Sequence, residues 1–291
     1  MLARLLKSIN DSTLTQGKVK FWIVVVDNYS QGTAEAIVDS YNCKRFPAIC
    51  VREPKPGIPF ARNRVISEAI NLDSDAIIFI DDDEIVSSTW LGCLTSYYLE
   101  RASYLDVVQG PVYPLFKTPL KKWMPSEFFG KIRDFKTGQR LHIASTNNVI
   151  FSVSLCKSGN FFFNEKMAFC GGTDSDFFRR VDKAGFIIEW CGEAIVQEEI
   201  PKSRLTLFWV MKRYYRFGAS KTLSFLLNEG LAYAWKMQSE KSIMNFAKGT
   251  KQIFSFSRKS FVYMLRYYCE GVGMICGFAG LQYNEYKKSH K

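Results

Sequence analysis

The densest acidic stretch of the chain, Asp81-Asp82-Asp83-Glu84, follows directly on the apolar run Ala76 to Ile80. Consecutive aspartates repel one another, and each raises the pKa of its neighbours. A hard divalent cation relieves that repulsion, and Mg²⁺ or Mn²⁺ favours one or two carboxylates completed by phosphate oxygens. In extended backbone Asp81 and Asp83 face one side and Asp82 the other. The alternative role is a solvated acidic turn that caps the next helix. A second acid, Asp27, ends the run Phe21 to Val26. Further on, Phe169 to Thr173 reads as a turn leading into a helix from about Asp174 to Ala184. A carboxylate at such a helix start can take a proton from an attacking hydroxyl, and the first turn is a favourable place for negative charge. The same Thr173, Asp174 and Asp176 also suit simple helix capping.

These acids need elements to hold them. Phe21 to Val26 and Ala76 to Ile80 are continuous apolar, β-branched runs, as expected of strands buried on both faces. Ala48 to Val51 is a shorter strand. Helical spacing over Gln31 to Tyr41 and over Ala61 to Ile70 separates the three, with a Pro- and Gly-rich loop at Glu53 to Pro59. Strands alternating with helices predict an α/β architecture with a mostly parallel sheet flanked by helices, and ligands bind such sheets beyond the carboxyl ends of the strands. Pro111 to Arg140 reads as a loop with short helices. Strands are expected within Ile143 to Phe151, Gly185 to Trp190 and Ala194 to Gln197. Beyond Pro201 only helical spacing recurs.

Charge divides the chain at the same place. From residue 201 onward there are 16 Lys and Arg against four Glu and no Asp, while the first 200 residues hold 23 basic and 24 acidic groups. The eight cysteines show no CxxC spacing and sit among apolar neighbours, which predicts reduced core thiols in a cytosolic protein. No run reaches the roughly 18 apolar residues of a membrane-spanning helix.

Five segments in order, VVVDNYS, EPKPGIPFARNRVISEA, AIIFIDDDEIVSSTWL, STNNVIFS and GGTDSDFFRRVDKAGF, resemble family 2 glycosyltransferases of the GT-A fold, of the bacterial nonprocessive type. The resemblance covers roughly residues 1–200. It implies a nucleotide-diphosphate-sugar donor, with Asp27 at the base or ribose and Arg62 and Asn63 near the nucleotide. It makes Asp81 and Asp83 a DXD pair for Mg²⁺ or Mn²⁺, Asp83 being the more direct ligand and Asp82 lying close to the ribose. Asp174 matches the general base of inverting members, with Asp176 as its substitute. Asn147 and Asn148 match a segment on the acceptor side, and buried turn asparagines fit equally. Gly171 and Gly172 fit a close approach to the sugar or a tight turn. Two departures stand out: Thr173 replaces the usual Glu before the base, and the family's first strand has no counterpart before the helix LARLLKSI.

The basic segment 201–291 reads as a helical extension of the transferase domain 1–200. Arg204 to Phe217 and Phe261 to Tyr283 have the apolar–basic character of helices that lie on a membrane surface, the alternative being a basic bundle packed on the catalytic domain. The segment KRYYRFG also resembles the region after the base in the family, which implies that Arg213 or Arg216 could instead meet a diphosphate. A glycan or polyprenyl-linked acceptor at the inner face of the cell membrane reconciles these readings. His142 reads as structural, His290 carries no signal, and Cys170 and Cys191 read as core. The rival reading is a non-catalytic membrane-peripheral or scaffold protein on a degenerate transferase fold. No nucleic-acid signature accompanies the charge. A phosphatase would place Thr or Val where Glu84 stands, and a nucleotidyltransferase would open on a Gly-rich phosphate loop.

Overall fold

A computed structural model describes residues 1–14, 19–29, 31–41, 43, 45–130 and 135–281. Ser30, and with it part of the first segment above, lies outside them, as do Lys287, Lys288 and His290. Helix and strand alternate at first: α1 (Leu2–Asn10), β1 (Ile23–Asp27), α2 (Ala34–Asp39), β2 (Ala48–Arg52), α3 (Ile58–Asn71), β3 (Ala76–Phe79), β4 (Glu84–Val86) and α4 (Trp90–Leu99). Then come β5 (Val107–Gln109), β6 (Val112–Leu115), β7 (Arg140–Leu141), β8 (Val149–Ser152), α5 (Ser154–Lys157), α6 (Thr173–Lys183), β9 (Ile188–Trp190) and β10 (Val196–Glu199). Three helices close the described chain: α7 (Leu207–Glu229), α8 (Leu231–Ile253) and α9 (Arg258–Phe278).

The α/β class and the flanking helices are as expected, and the strand pairing is mixed. β1 runs parallel to β2, β5 to β9, and β6 to β10. β8 is inserted antiparallel between β3 and β5, giving the order β3-β8-β5-β9-β7, while β4 pairs antiparallel with β10. Its neighbours are set by side-chain alternation. Val149 and Phe151 of β8 point to one face, where Ile66 of α3 and Phe177 and Phe178 of α6 cover them. Ile150 points to the other, against Trp90 and Leu94 of α4. Phe163 and Phe177 stack with ring centroids 4.4 Å apart and seal the first face. Truncating a buried Phe of this kind to Ala costs about 3–5 kcal/mol. β1 corrects one expectation: its apolar residues are only half-buried, because β2 is its sole paired strand among those described.

Leu2, Leu5, Leu6 and Ile9, spaced for one helical face, bury α1 against β1, β2 and α4. At the other end α7 and α9 pack at backbone contact. A Cβ on Gly218 would stand 2.1 Å from the carbonyl of Glu270, and one on Gly273 would stand 2.1 Å from that of Tyr215. No helix of the described residues is long and apolar enough to cross a membrane.

Candidate active site

β3 ends at Phe79 and delivers Asp81 to a cleft of about 780 Å³ beyond the strand ends. Solvent in the cleft reaches the Asp81 carboxylate, yet protein crowds it closely. Desolvation raises its pKa to about 6; Arg62 opposes the rise, and Asp83, Asp174 and Glu198 reinforce it. Asp82 is also raised, by burial and then by Asp83. Glu84, only 1% exposed, folds back so that Oε2 accepts the amide of Asp81 at 2.9 Å and fixes the acidic turn. Burial, then the charge of Asp81, pushes Glu84 well above the usual carboxylate range. Asp83 stands beside Arg204, 3.8 Å away, whose other guanidinium nitrogen bonds Glu198 at 2.7 Å.

Across the cleft, Gly171 and Gly172 both take φ 73°, a left-handed conformation that side chains resist. The turn brings the chain against α7, with Ser220 Oγ 3.1 Å from where a Cβ on Gly172 would sit. It starts α6 at the cleft, where Thr173 and Asp174 line the wall. Asp174 is half-buried, and its Oδ1 accepts the amide of Ser175 at 2.8 Å. Thr173 is buried, and its hydroxyl accepts a 2.5 Å hydrogen bond from Arg62. Arg62 thus ties the α6 turn to the Asp81 turn. Asp176, also at the wall, is committed: it receives Ser224 Oγ, Asn228 Nδ2 at 2.6 Å and Arg180 Nε at 3.0 Å. It pins α6 to α7.

The third wall is α7 itself. Arg213, Tyr214, Arg216 and Phe217 line the cleft, joined by Phe128 and Phe129 from the segment between β6 and β7. Burial lowers the pKa of Arg213 against the pull of Glu198. Its guanidinium lies between the rings of Trp209 and Phe217, at 5.0 and 5.2 Å.

The other expected site residues divide. Asp27 is 8% exposed, and its two oxygens accept the amides of Tyr29 and Ala34, each at 2.9 Å, which closes the turn into α2. Asn63 exchanges two hydrogen bonds with the backbone of Phe163, at 3.0 and 2.8 Å. Neither belongs to the cleft lining. Asn147 does, whereas Asn148 is buried and fully used, by Trp90, Pro111 and Ala194. Gly110 lets it in, since a Cβ there would meet its Nδ2 at 2.4 Å. His142 is exposed beside Asp182, and burial pushes the thiols of Cys170 and Cys191 up to about 11 and 12.

Sequence reasoning missed Glu198, Arg204 and Gln109. Glu198 lies near the end of β10 and pairs in register with Glu84 of the acidic turn. Gln109 holds the amide of Ser145 and the carbonyl of Asn148 at the cleft floor, at 2.6 and 2.8 Å.

The donor set fits a divalent cation. Asp81 lies in a field of like charges from Asp83, Asp174 and Glu198 that Arg62 opposes, whereas Asp82 and Asp83 are outside the cleft lining and Asp83 stands 3.8 Å from Arg204. Among the described residues no three His, Cys, Asp or Glu groups form a ready-made metal site, so a cation there would need ligands such as phosphate oxygens from outside the protein.

The chain matches the glycosyl transferase family 2 profile over residues 1–159. It is similar to the succinoglycan biosynthesis protein ExoM of Rhizobium meliloti, at 29% identity over 240 residues, 81% of this chain and 75% of that protein. The structure of S. aureus TarS 1-349 in complex with UDP aligns with a TM-score of 0.53 at 14% identity, over 97% of this chain and 89% of that one. GalNAc-T7 with UDP, GalNAc and Mn²⁺ aligns with a TM-score of 0.51 at 11% identity, over 72% of this chain and 46% of that one. The two structural likenesses establish a shared fold.

Proposed function

The chain belongs to glycosyltransferase family 2, a nucleotide-sugar-dependent family, and from that premise we propose that it transfers a sugar, with inversion, from a nucleotide diphosphate to a hydroxyl of a glycan or lipid-linked acceptor. One observation carries this reading: the charges of Asp81, Asp83, Asp174, Glu198 and Arg62, drawn from separate stretches, all act on a single cleft.

In this proposal the acceptor hydroxyl gives its proton to the Asp174 carboxylate as its oxygen bonds the anomeric carbon. The bond from that carbon to the diphosphate breaks on the opposite face, and its electron pair leaves with the phosphate. Ser175 holds one Asp174 oxygen, which orients the other toward the cleft. Arg62, Arg213 and Arg216 supply positive charge for the departing diphosphate. Asp81 and Asp83 would hold Mg²⁺ or Mn²⁺, whose chemistry there is Lewis-acid stabilisation of the same leaving group. Thr173, where relatives carry Glu, keeps Arg62 in place through its hydroxyl. Asp27 supports the donor region through the turn it closes. The aromatic rings of Phe128, Phe129, Tyr214 and Phe217 offer flat apolar faces to sugar C–H groups.

Residues 1–200 act as the transferase domain and 201–291 as a helical region that lends α7 to the cleft. We assign it a second role, docking the enzyme on the inner face of the cell membrane. Exposed apolar residues occur along all three helices, among them Phe208, Leu231, Trp235, Ile243 and Ile275, and the two most exposed stand at the α8–α9 turn, just before the expected segment Phe261 to Tyr283. Phe254 is 75% and Phe256 93% exposed, and Lys248, Lys251, Arg258 and Lys259 surround them in sequence. The similarity to ExoM supports a place in polysaccharide biosynthesis.

The test is a screen of UDP-, GDP- and dTDP-sugars for Mn²⁺-dependent hydrolysis, with UDP-sugars expected to respond. If no nucleotide sugar is hydrolysed or raises the melting temperature, the transferase reading fails.

A further inference from the structure

We propose that the cleft contains a separate subsite for a negatively charged group of the acceptor, a phosphate or a carboxylate, formed by Arg179 of α6, Lys221 of α7 and Lys241 of α8 around the ring of Phe225. That the anion belongs to an acceptor rests on the transferase reading; the anion site itself does not.

All four side chains line the same cleft as Asp174. The Arg179 guanidinium lies 4.2 Å from the centroid of the Phe225 ring and Lys241 Nζ 5.2 Å from it. Burial lowers the pKa of Lys241, and the charges of Lys221 and Arg179 lower it further, so the three cations share one field. Local carboxylates do not balance them. Asp176 lies 3.5 Å from Arg179 but also serves Arg180 at 3.0 Å. Glu270 is divided between Lys221 at 2.6 Å and Arg266 at 3.3 Å. No described carboxylate pairs with Lys241. Glu229 also acts on Arg179 but pairs with Lys183 at 2.6 Å, so three carboxylates face six cations, of which Arg179, Lys221 and Lys241 open on the cleft.

Cations held together at a concave surface are relieved by a bound anion. The chemistry also suits one. A guanidinium laid on an aromatic face keeps its N–H edge for a bidentate oxygen pair, and lysine supplies a mobile point charge. Arg179 is further steadied by Ser224, whose hydroxyl accepts its Nη2 at 2.6 Å. Arg179 follows Asp174 by five positions on α6, a rise of about 7.5 Å along the axis. The anion would therefore sit near one sugar unit from the reacting hydroxyl.

The full chain, saturated with UDP and Mn²⁺, is titrated calorimetrically with glucose 6-phosphate, glucuronate and glucose. Both anions, or one, are expected to bind where glucose does not, and the tighter of the two identifies phosphate or carboxylate as the recognised group. Lys221→Gln/Lys241→Gln should weaken the anion roughly tenfold, as for losing two charge-assisted contacts, with UDP affinity unchanged; Lys241→Gln alone, which breaks no ion pair, should weaken it in the same direction with the melting temperature unchanged. Lys221→Arg/Lys241→Arg should retain binding. Equal binding of glucose, or anion affinity unchanged in the Gln pair, overturns the proposal. Anion binding in a protein that takes up no UDP would sink the transferase reading and leave this site standing.

Discussion

Asp174 and Asp176 lie one residue apart on the first turn of α6 and do opposite things. The carboxylate of Asp176 is bonded by Ser224, Asn228 and Arg180, whereas that of Asp174 has a single backbone amide and faces the cleft. Their order in the chain does not tell the anchor from the proposed base; the partners brought by α7 do.

Asp174→Asn should lower transfer by at least about a thousandfold, as expected when a proton acceptor is lost, while donor affinity changes little. The measurement is kcat for transfer beside calorimetric UDP-sugar binding. Loss of donor binding in this variant would remove Asp174 from the base role.

Asp176→Ala should behave as a folding variant. It leaves Arg179 and Arg180 short of their carboxylate and unpairs Ser224 and Asn228, and breaking a buried charge pair costs about 3–5 kcal/mol. Denaturant unfolding would show this. A stability change below about 1 kcal/mol would contradict the hub described here.

Metal affinity should depend on pH in one direction. The pKa of Asp81 is raised to about 6, and a cation must displace its proton. Mn²⁺ affinity should fall about tenfold per unit as pH drops below 6 and level off above it. The sign for stability is opposite: a raised carboxylate pKa favours the fold while the group is protonated, and that contribution is lost as pH rises through about 6. Mn²⁺ titrations from pH 5 to 8 check the first statement; a flat profile argues against Asp81 as a ligand.

The parts legible beforehand were those in which one short stretch carries both element and chemistry. Ala76 to Ile80 announces a strand, and the aspartates after it stand at its carboxyl end whatever the rest of the fold does. Gly171 to Asp174 likewise contains its own turn and helix start. What escaped notice depends on distant partners. Asn63 meets Phe163 a hundred residues on, and Asn148 is held by Trp90 and Ala194, so neither use is written locally. The antiparallel insertion of β8 was hidden because a strand of four residues, Val149–Ser152, reads the same in either direction. The alternating Arg and aromatic residues of α7 suit a membrane surface, a bundle on the catalytic domain or a diphosphate contact alike, and packing on Phe128 and Phe129 is what makes that face a cleft wall.

Gly273→Ala tests that packing. Its Cβ would stand 2.1 Å from the backbone carbonyl of Tyr215, which no rotamer change can relieve. α7 and α9 must then separate, at a cost of about 1–3 kcal/mol or more. Because α7 carries Arg213 and Arg216, donor affinity should drop with stability, read from melting curves with and without UDP. Gly185→Ala, open to solvent but at φ 95°, is the comparison in which only local strain is added.

If the helical region docks on a membrane as proposed, the α8–α9 turn is the contact. Phe256 is held at φ 45°, a conformation a non-glycine residue adopts only when its surroundings impose it, and its ring is 93% exposed. From Lys241 to Cys269 the chain has six Lys and Arg and no acidic residue. Burying one such aromatic ring contributes about 1.5–3 kcal/mol, and each basic residue near an anionic surface about 1 kcal/mol. Phe254→Ser/Phe256→Ser should therefore abolish sedimentation with anionic vesicles and leave sugar transfer to a soluble acceptor intact, since neither ring lines the cleft. Lys248→Gln/Lys251→Gln should weaken binding only to anionic vesicles, and added salt should reproduce that loss in the unmodified protein through screening. Equal sedimentation of the serine pair and the parent would locate the membrane contact elsewhere.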